Sequence, residues 1–208
     1  MFRFKQRIYS LGYRLGFLSP DQIYSDDWFK AMTENEWKSD AEDVVASLIN
    51  EFEPDSVIDF GCGVGLHLSI FLNNNVNIKG IDGSQSALDQ NLVPRKHLEQ
   101  ADLRSEYDMS QEYDLVLCFE LAEHLPGRHA DTLVRTLTNA GDTVAFTAAT
   151  PGQGGTHHVN EQPRSYWIEK FESAGFSYDA MAVESLRESM NVEKTTWIPE
   201  NIFVFRRE

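Results

Sequence analysis

The stretch Val57-Ile58-Asp59-Phe60-Gly61-Cys62-Gly63-Val64-Gly65 decides the fold. Its first half is a short apolar run of the kind that forms a buried strand, and it ends in an acid. Its second half is a glycine turn, and the pattern from about Leu66 to Leu72 predicts a helix. Glycines at 61, 63 and 65 allow positive φ and let backbone approach a bound molecule closely. The helix start beyond them offers unpaired N–H groups. Strand, glycine turn and helix together form a cradle for a nucleoside-like ligand.

The cradle is not the dinucleotide type. That fingerprint places its third glycine one position later, where this chain has Leu66. Asp59 would also repel a pyrophosphate, whereas it would suit an adenosine derivative carrying a cationic ammonium group. A second predicted strand, Asn77-Ile78-Lys79-Gly80-Ile81-Asp82, ends in a carboxylate 23 positions after Asp59. That is about where ribose hydroxyls meet an acid in a doubly wound sheet. Glu99-Gln100-Ala101-Asp102-Leu103 places another acid at a third strand end, within reach of an adenine amine. Tyr113-Asp114-Leu115-Val116-Leu117-Cys118-Phe119-Glu120 reads as a fourth buried strand.

With these pieces in place, the chain resembles the class I S-adenosylmethionine-dependent methyltransferases over roughly residues 40 to 206. The resemblance implies that Asp59, Gly61 and Gly63 surround the methionine part of the cofactor. Asp82 with Gly83 would hold the ribose, and Asp102 with Leu103 would edge the adenine. Phe119 and Glu120 would close the methionine side. Glu120-Leu121-Ala122-Glu123-His124-Leu125-Pro126 looks like the segment after the fourth strand in the branch directed at small molecules and sugars. The run from Pro151 to Pro163, with Gly154, Gly155, His157 and His158, resembles a loop of bacterial methyltransferases that modify glycans and natural products.

Composition narrows the partners. At 208 residues the chain suits one domain with a sizeable core. A formal charge of −15 opposes binding to nucleic acid or to an anionic membrane. No apolar run is long enough to span a bilayer and no secretory leader is visible, so a cytoplasmic setting is expected. Cys62 and Cys118 read as small buried hydrophobes, and no paired-cysteine metal motif exists.

Residues 1–35 are expected to form a helical extension or lid, and 36–208 the methyltransferase domain. Arg3, Lys5, Arg7 and Arg14 precede the first acid, Asp21, and Phe4, Ile8, Leu11, Leu15 and Leu18 fall at helical spacing. Such a helix could pack on the acidic body, mediate a dimer or touch a membrane surface. Tyr24, Trp28 and Phe29 are candidates for a lid over the cofactor.

Further predicted helices cover 36–52, 130–139 and 163–174, and further strands cover 143–148, 176–182 and 201–205. Alternating strands and helices give an α/β, doubly wound, mostly parallel seven-stranded sheet with an antiparallel edge pair and helices on both faces. Trp167, Phe171 and Phe176 fit its core.

Glu120, Glu123 and His124 share one face if their segment turns helically. With His158 from the loop they form a candidate site for a divalent cation such as Mg²⁺ that would bind acceptor hydroxyls. His124, His157 and His158 are the catalytic candidates. Of the loop pair, the resemblance assigns His158 to the metal and leaves His157 as the base. His67, His97 and His129 receive no role. The expected reaction is methyl transfer to a hydroxyl of a saccharide or small-molecule acceptor. The alternatives are an RNA-directed methyltransferase and a non-catalytic cofactor-binding regulator.

Overall fold

The structure is a computed structural model, and it describes Phe29 and residues 35–208. Apart from Phe29 and Asn35, the expected extension over 1–35 lies outside the described residues. Helix α1 (Asn35–Phe52) leads to β1 (Ser56–Phe60), α2 (Leu66–Asn73), β2 (Asn77–Asp82) and α3 (Gln85–Asp89). Then come β3 (Leu98–Gln100), β4 (Leu115–Cys118), α4 (Ala130–Ala140), β5 (Thr143–Thr147) and α5 (Arg164–Ser173). The chain closes with β6 (Phe176–Tyr178), α6 (Ala180–Ser189), α7 (Trp197–Asn201) and β7 (Ile202–Arg207).

The seven strands form one sheet in the order β3-β2-β1-β4-β5-β7-β6. Strands β1 to β5 run parallel to one another. Strand β7 runs antiparallel to both β5 and β6, so β6–β7 is the antiparallel edge pair. Side chains alternate between the faces, as a period of two requires. Val57, Leu115, Leu117 and Val204 join α1, α2 and α6 in one core. Ile58, Val116, Phe146 and Phe205 join α4 and α5 in the other. Trp167, Phe171 and Phe176 are fully buried in that second core, as expected. Phe171 stacks on Phe205 with centroids 3.9 Å apart.

The strand order reverses between β1 and β4. Ligands of such sheets bind at that switch, outside the carboxyl ends of the strands. Asp59 and Glu120 stand on its two sides.

Two local expectations are corrected. The strand predicted over 176–182 stops at Tyr178, and Ala180–Ser189 is helical. Asp179 caps that helix by accepting from the Ala182 N–H at 3.0 Å. The segment 120–126 is not a helix either. Glu120 holds φ at +54°, which a right-handed helix does not admit, and a single turn follows in which the His124 N–H donates to the Leu121 carbonyl at 2.9 Å.

Candidate functional site

A cleft of about 670 Å³ opens at the switch point. Its lining includes every residue assigned from sequence to the cofactor: Asp59, Gly61, Gly63, Asp82, Gly83, Asp102, Leu103, Phe119 and Glu120.

The turn after β1 is shaped by glycine. Gly61, Gly63 and Gly65 sit at φ +82°, +53° and +76°, which side chains with a Cβ resist. The turn is tied to β2, where the Gly61 N–H donates to the Ile81 carbonyl at 2.8 Å. Asp82 then organises both loops. One of its oxygens accepts from the Gly63 N–H at 2.8 Å and the other from the Ser84 N–H at 2.7 Å. A carboxylate has about four lone-pair sites, so a group of this kind can accept from a ligand diol as well as from backbone.

Asp59 is buried, and burial together with the nearby Asp82 charge pushes its carboxyl up to about 7. Asp102 lies two residues past the end of β3 rather than on it. The Arg104 guanidinium grips it at 2.7 Å and holds its carboxyl below the usual range.

Glu120 ends the far wall. Its N–H donates to the Thr147 hydroxyl oxygen at 2.8 Å, and that hydroxyl donates to Glu120 Oε1 at 2.9 Å. These bonds hold a non-glycine residue in a left-handed conformation, a strain that clusters at functional sites. Burial raises the Glu120 carboxyl, opposed by Thr147 and the Trp197 indole.

Glu123 is fully buried, and neither carboxylate oxygen meets a hydrogen-bond partner. Burial, then the Glu120 charge, push it up to about 8; the backbone amides of Glu123 and Ala149 face it outside bonding geometry and oppose this. Burial also drives the neighbouring His124 down to about 3, with His158 adding to the shift. The loop after β5 docks here. The Val159 and Asn160 N–H groups donate to the Glu123 carbonyl at 2.8 and 3.1 Å, and Asn160 Nδ2 donates to the Ala122 carbonyl. This brings the His158 ring against His124, with centroids 5.0 Å apart and planes at 81°.

Glu123, His124 and His158 therefore each offer a ligand atom within 4.8 Å of one another. Of the four residues expected at the cation site, Glu120 stands apart, engaged with Thr147. Of the catalytic candidates, His124 and His158 line the cleft and His157 does not. His157 sits at φ +62° in the docked loop and is not among the residues that line the cleft.

Sequence reasoning misses one wall. Trp37 on α1, Trp197 on α7 and His67 on α2 also line the cleft. The two indoles meet edge to face at 6.1 Å, and the His67 ring abuts Phe119 at 5.7 Å. Burial drives His67 down to about 4, so it is neutral at pH 7. The available signal is position: His67 is the second residue of the helix that follows the glycine turn. Phe29 also lines the cleft and is buried against Val64 and Ala87.

A family profile described as a methyltransferase domain matches residues 37–181. Among curated proteins, the ubiquinone biosynthesis O-methyltransferase of Coxiella burnetii (strain RSA 493 / Nine Mile phase I) is 33% identical over 79 residues, covering 34% of this chain and 32% of that protein. The protein of the same name from Stutzerimonas stutzeri (strain A1501) is 27% identical over 123 residues, 53% of this chain and 47% of its own. The chain thus spans from about a third to about half of the length of the curated relatives it matches. Among solved structures, Streptomyces venezuelae DesVI superposes with a TM-score of 0.63 at 14% identity, covering 92% of this chain and 99% of that one. Magnesium protoporphyrin IX methyltransferase of Synechocystis PCC 6803, solved with bound S-adenosylhomocysteine, gives 0.60 at 18% identity, covering 82% and 83%. The chain belongs to the methyltransferase domain family, with the fold of the class I S-adenosylmethionine-dependent enzymes.

Proposed function

We propose that the chain binds S-adenosylmethionine in this cleft and transfers its methyl group to a hydroxyl of a saccharide or small-molecule acceptor. The observation that carries the reading is continuity: one cleft joins the strand-end acids to the neighbourhood of Glu123, His124 and His158. Asp82 would accept from the ribose hydroxyls, and the uncompensated Asp59 would meet the cationic end of the cofactor. The acceptor oxygen attacks the methyl carbon in line, the carbon–sulfur bond breaks, and neutral S-adenosylhomocysteine leaves. The hydroxyl proton needs an acceptor, and a neutral imidazole on the cleft wall suits that role. His158 is the candidate for it when no metal is bound.

The Glu123 cluster fits a divalent cation, because its buried carboxylate has two unsatisfied oxygens beside two imidazoles. Glu123, His124 and His158 would hold the ion. Two imidazoles with one carboxylate favour a first-row ion such as Mn²⁺ over Mg²⁺. When bound, the ion would polarise the acceptor oxygen and lower the pKa of its hydroxyl.

Among the described residues no lysine or arginine lines the cleft, which weighs against an RNA acceptor. Trp37, Trp197 and His67 line the cleft in addition to the residues assigned to the cofactor, which weighs against a regulator without an acceptor site. Phe29, buried at the cleft, supports the reading of residues 1–35 as a cover for the cofactor. No described helix is long and apolar enough to cross a membrane. The test is incubation with methyl-labelled S-adenosylmethionine and fractionated metabolites and glycans, with and without Mg²⁺ or Mn²⁺. Label transferred to a small-molecule or glycan fraction supports the reading; transfer to RNA alone, or none, opposes it.

A further inference from the structure

We infer that Glu161 is a positioning residue: it locks His158 in the tautomer that carries its proton on Nδ1 and so presents the Nε2 lone pair to the Glu123–His124 cluster. The inference rests on the proposed role of that cluster and deepens it.

The loop from Thr150 to Gln162 is built around this one carboxylate. The Gly152 N–H donates to Glu161 Oε2 at 2.9 Å, and the Gly154 N–H donates to Oε1 at 2.8 Å. His158 Nδ1 lies 3.0 Å from the same Oε1. Both oxygens already accept from backbone donors that cannot reverse their polarity, so the group acts here as an acceptor. A carboxylate acting so obliges the imidazole nitrogen to donate. A neutral ring with its proton on Nδ1 has its lone pair on Nε2. That lone pair is what a metal or an acceptor proton needs.

Packing fixes the ring independently. A Cβ at Gly155 would stand 2.2 Å from His158 Nε2 and 2.4 Å from Cε1, so only glycine leaves room for the ring there. The loop is anchored at its other end by the bonds from Val159 and Asn160 to the Glu123 carbonyl. Glu161 therefore couples the glycine turn, the histidine and the cluster. The spacing His-x-x-Glu behind two glycines gains a single explanation. It also gives a structural ground for telling the two adjacent histidines apart, because His158 lines the cleft and His157 does not.

The roles are separable by experiment on the full chain. Imidazole ¹⁵N NMR of the metal-free protein should show His158 as the Nδ1–H tautomer. In Glu161→Gln the amide offers both a donor and an acceptor, so the bias should be lost and the two tautomers should mix. Mn²⁺ affinity, measured by calorimetry, should fall about 10–100-fold in Glu161→Gln, the usual cost of losing an outer partner of a ligand histidine. Gly155→Ala, which displaces the ring without touching Glu161, should weaken Mn²⁺ similarly. Affinity for S-adenosylmethionine should stay within about twofold in both, which shows that the fold is intact. His158 as the Nε2–H tautomer in the wild type, or an unchanged tautomer in Glu161→Gln, overturns the inference. Wild-type protein that binds no Mn²⁺ but shows the Nδ1–H tautomer, lost in Glu161→Gln, overturns the metal reading alone and leaves Glu161 positioning a base.

Discussion

Asp59 carries an unusual burden for a carboxylate. It is buried with its group pushed up to about 7, against 3.8 for an unperturbed aspartate. The sign follows from proton uptake. Between about pH 4 and 7 the folded chain keeps a proton that the unfolded chain has lost. This residue's contribution to stability is therefore complete below about pH 4 and is lost as pH rises through 7. Asp59→Asn should raise stability at pH 8, by up to about 4 kcal/mol. Urea titrations of both proteins at pH 5 and pH 8 check this; an equal difference at the two pH values contradicts it. The cofactor's positive charge should favour the ionised form. Binding near pH 6.5 should then release a proton, visible in calorimetry as a dependence on buffer ionisation enthalpy. Thr147 bears on the same wall. Thr147→Val removes both bonds that hold Glu120 at φ +54°. Thermal and urea unfolding should show a loss of about 1–3 kcal/mol, the cost of an unsatisfied buried group, with weaker cofactor binding.

At the scale of elements, the loop after β5 meets the segment after β4 through backbone bonds to a single carbonyl. Asn160→Ala removes the bond to the Ala122 carbonyl and the acceptor of the Gln162 side-chain amide. We predict faster amide exchange at Val159 and in the glycine turn, with β1 and β4 unchanged. Exchange that rises uniformly would mean that the loop is not a separate unit. The strand-end acids of this machinery are legible in the sequence because strand, glycine and helix signals are local and close together. The helix at Ala180–Ser189 is hidden by Phe176 and Tyr178, whose alternation continues the strand signal into Ala182. The capping acid Asp179 overrides it, and that cap is the cue to weigh. The helical face expected for Glu120, Glu123 and His124 fails because Glu120 is held left-handed by Thr147, a residue on β5. No local pattern reports such a long-range constraint. Glu123 and His124 nonetheless meet His158, because the docked loop brings the histidine to them.

For the whole molecule, the sheet order puts the ends of β1, β2 and β4 at one crevice and faces them with α1 and α7. Trp37 and Trp197 are far apart in sequence and meet only in the fold, so their shared wall is invisible to periodicity. Helix α1 is also tied to the segment before α7. Asp40 accepts from the Glu193, Lys194 and Thr195 N–H groups at 3.0, 2.9 and 2.6 Å. A ligand that fills this crevice stabilises the whole unit. S-adenosylhomocysteine at one hundred times its Kd should add about 2.7 kcal/mol. For a chain of this length that is roughly 5–10 °C in Tm. Scanning calorimetry at several ligand concentrations checks it, and a Tm independent of concentration contradicts occupancy of the crevice.

The central claim is that the crevice is built for S-adenosylmethionine through Asp82. Titration calorimetry of S-adenosylmethionine, with NAD as the competitor chemistry, tests it most directly. Hydrogen bonds to a charged group contribute about 1.5–3 kcal/mol each, so Asp82→Ala should weaken binding by at least about tenfold. The account predicts one site for S-adenosylmethionine, that loss in the variant, and weaker or no binding of NAD. Unchanged affinity in Asp82→Ala, or NAD bound more tightly than S-adenosylmethionine, would contradict it.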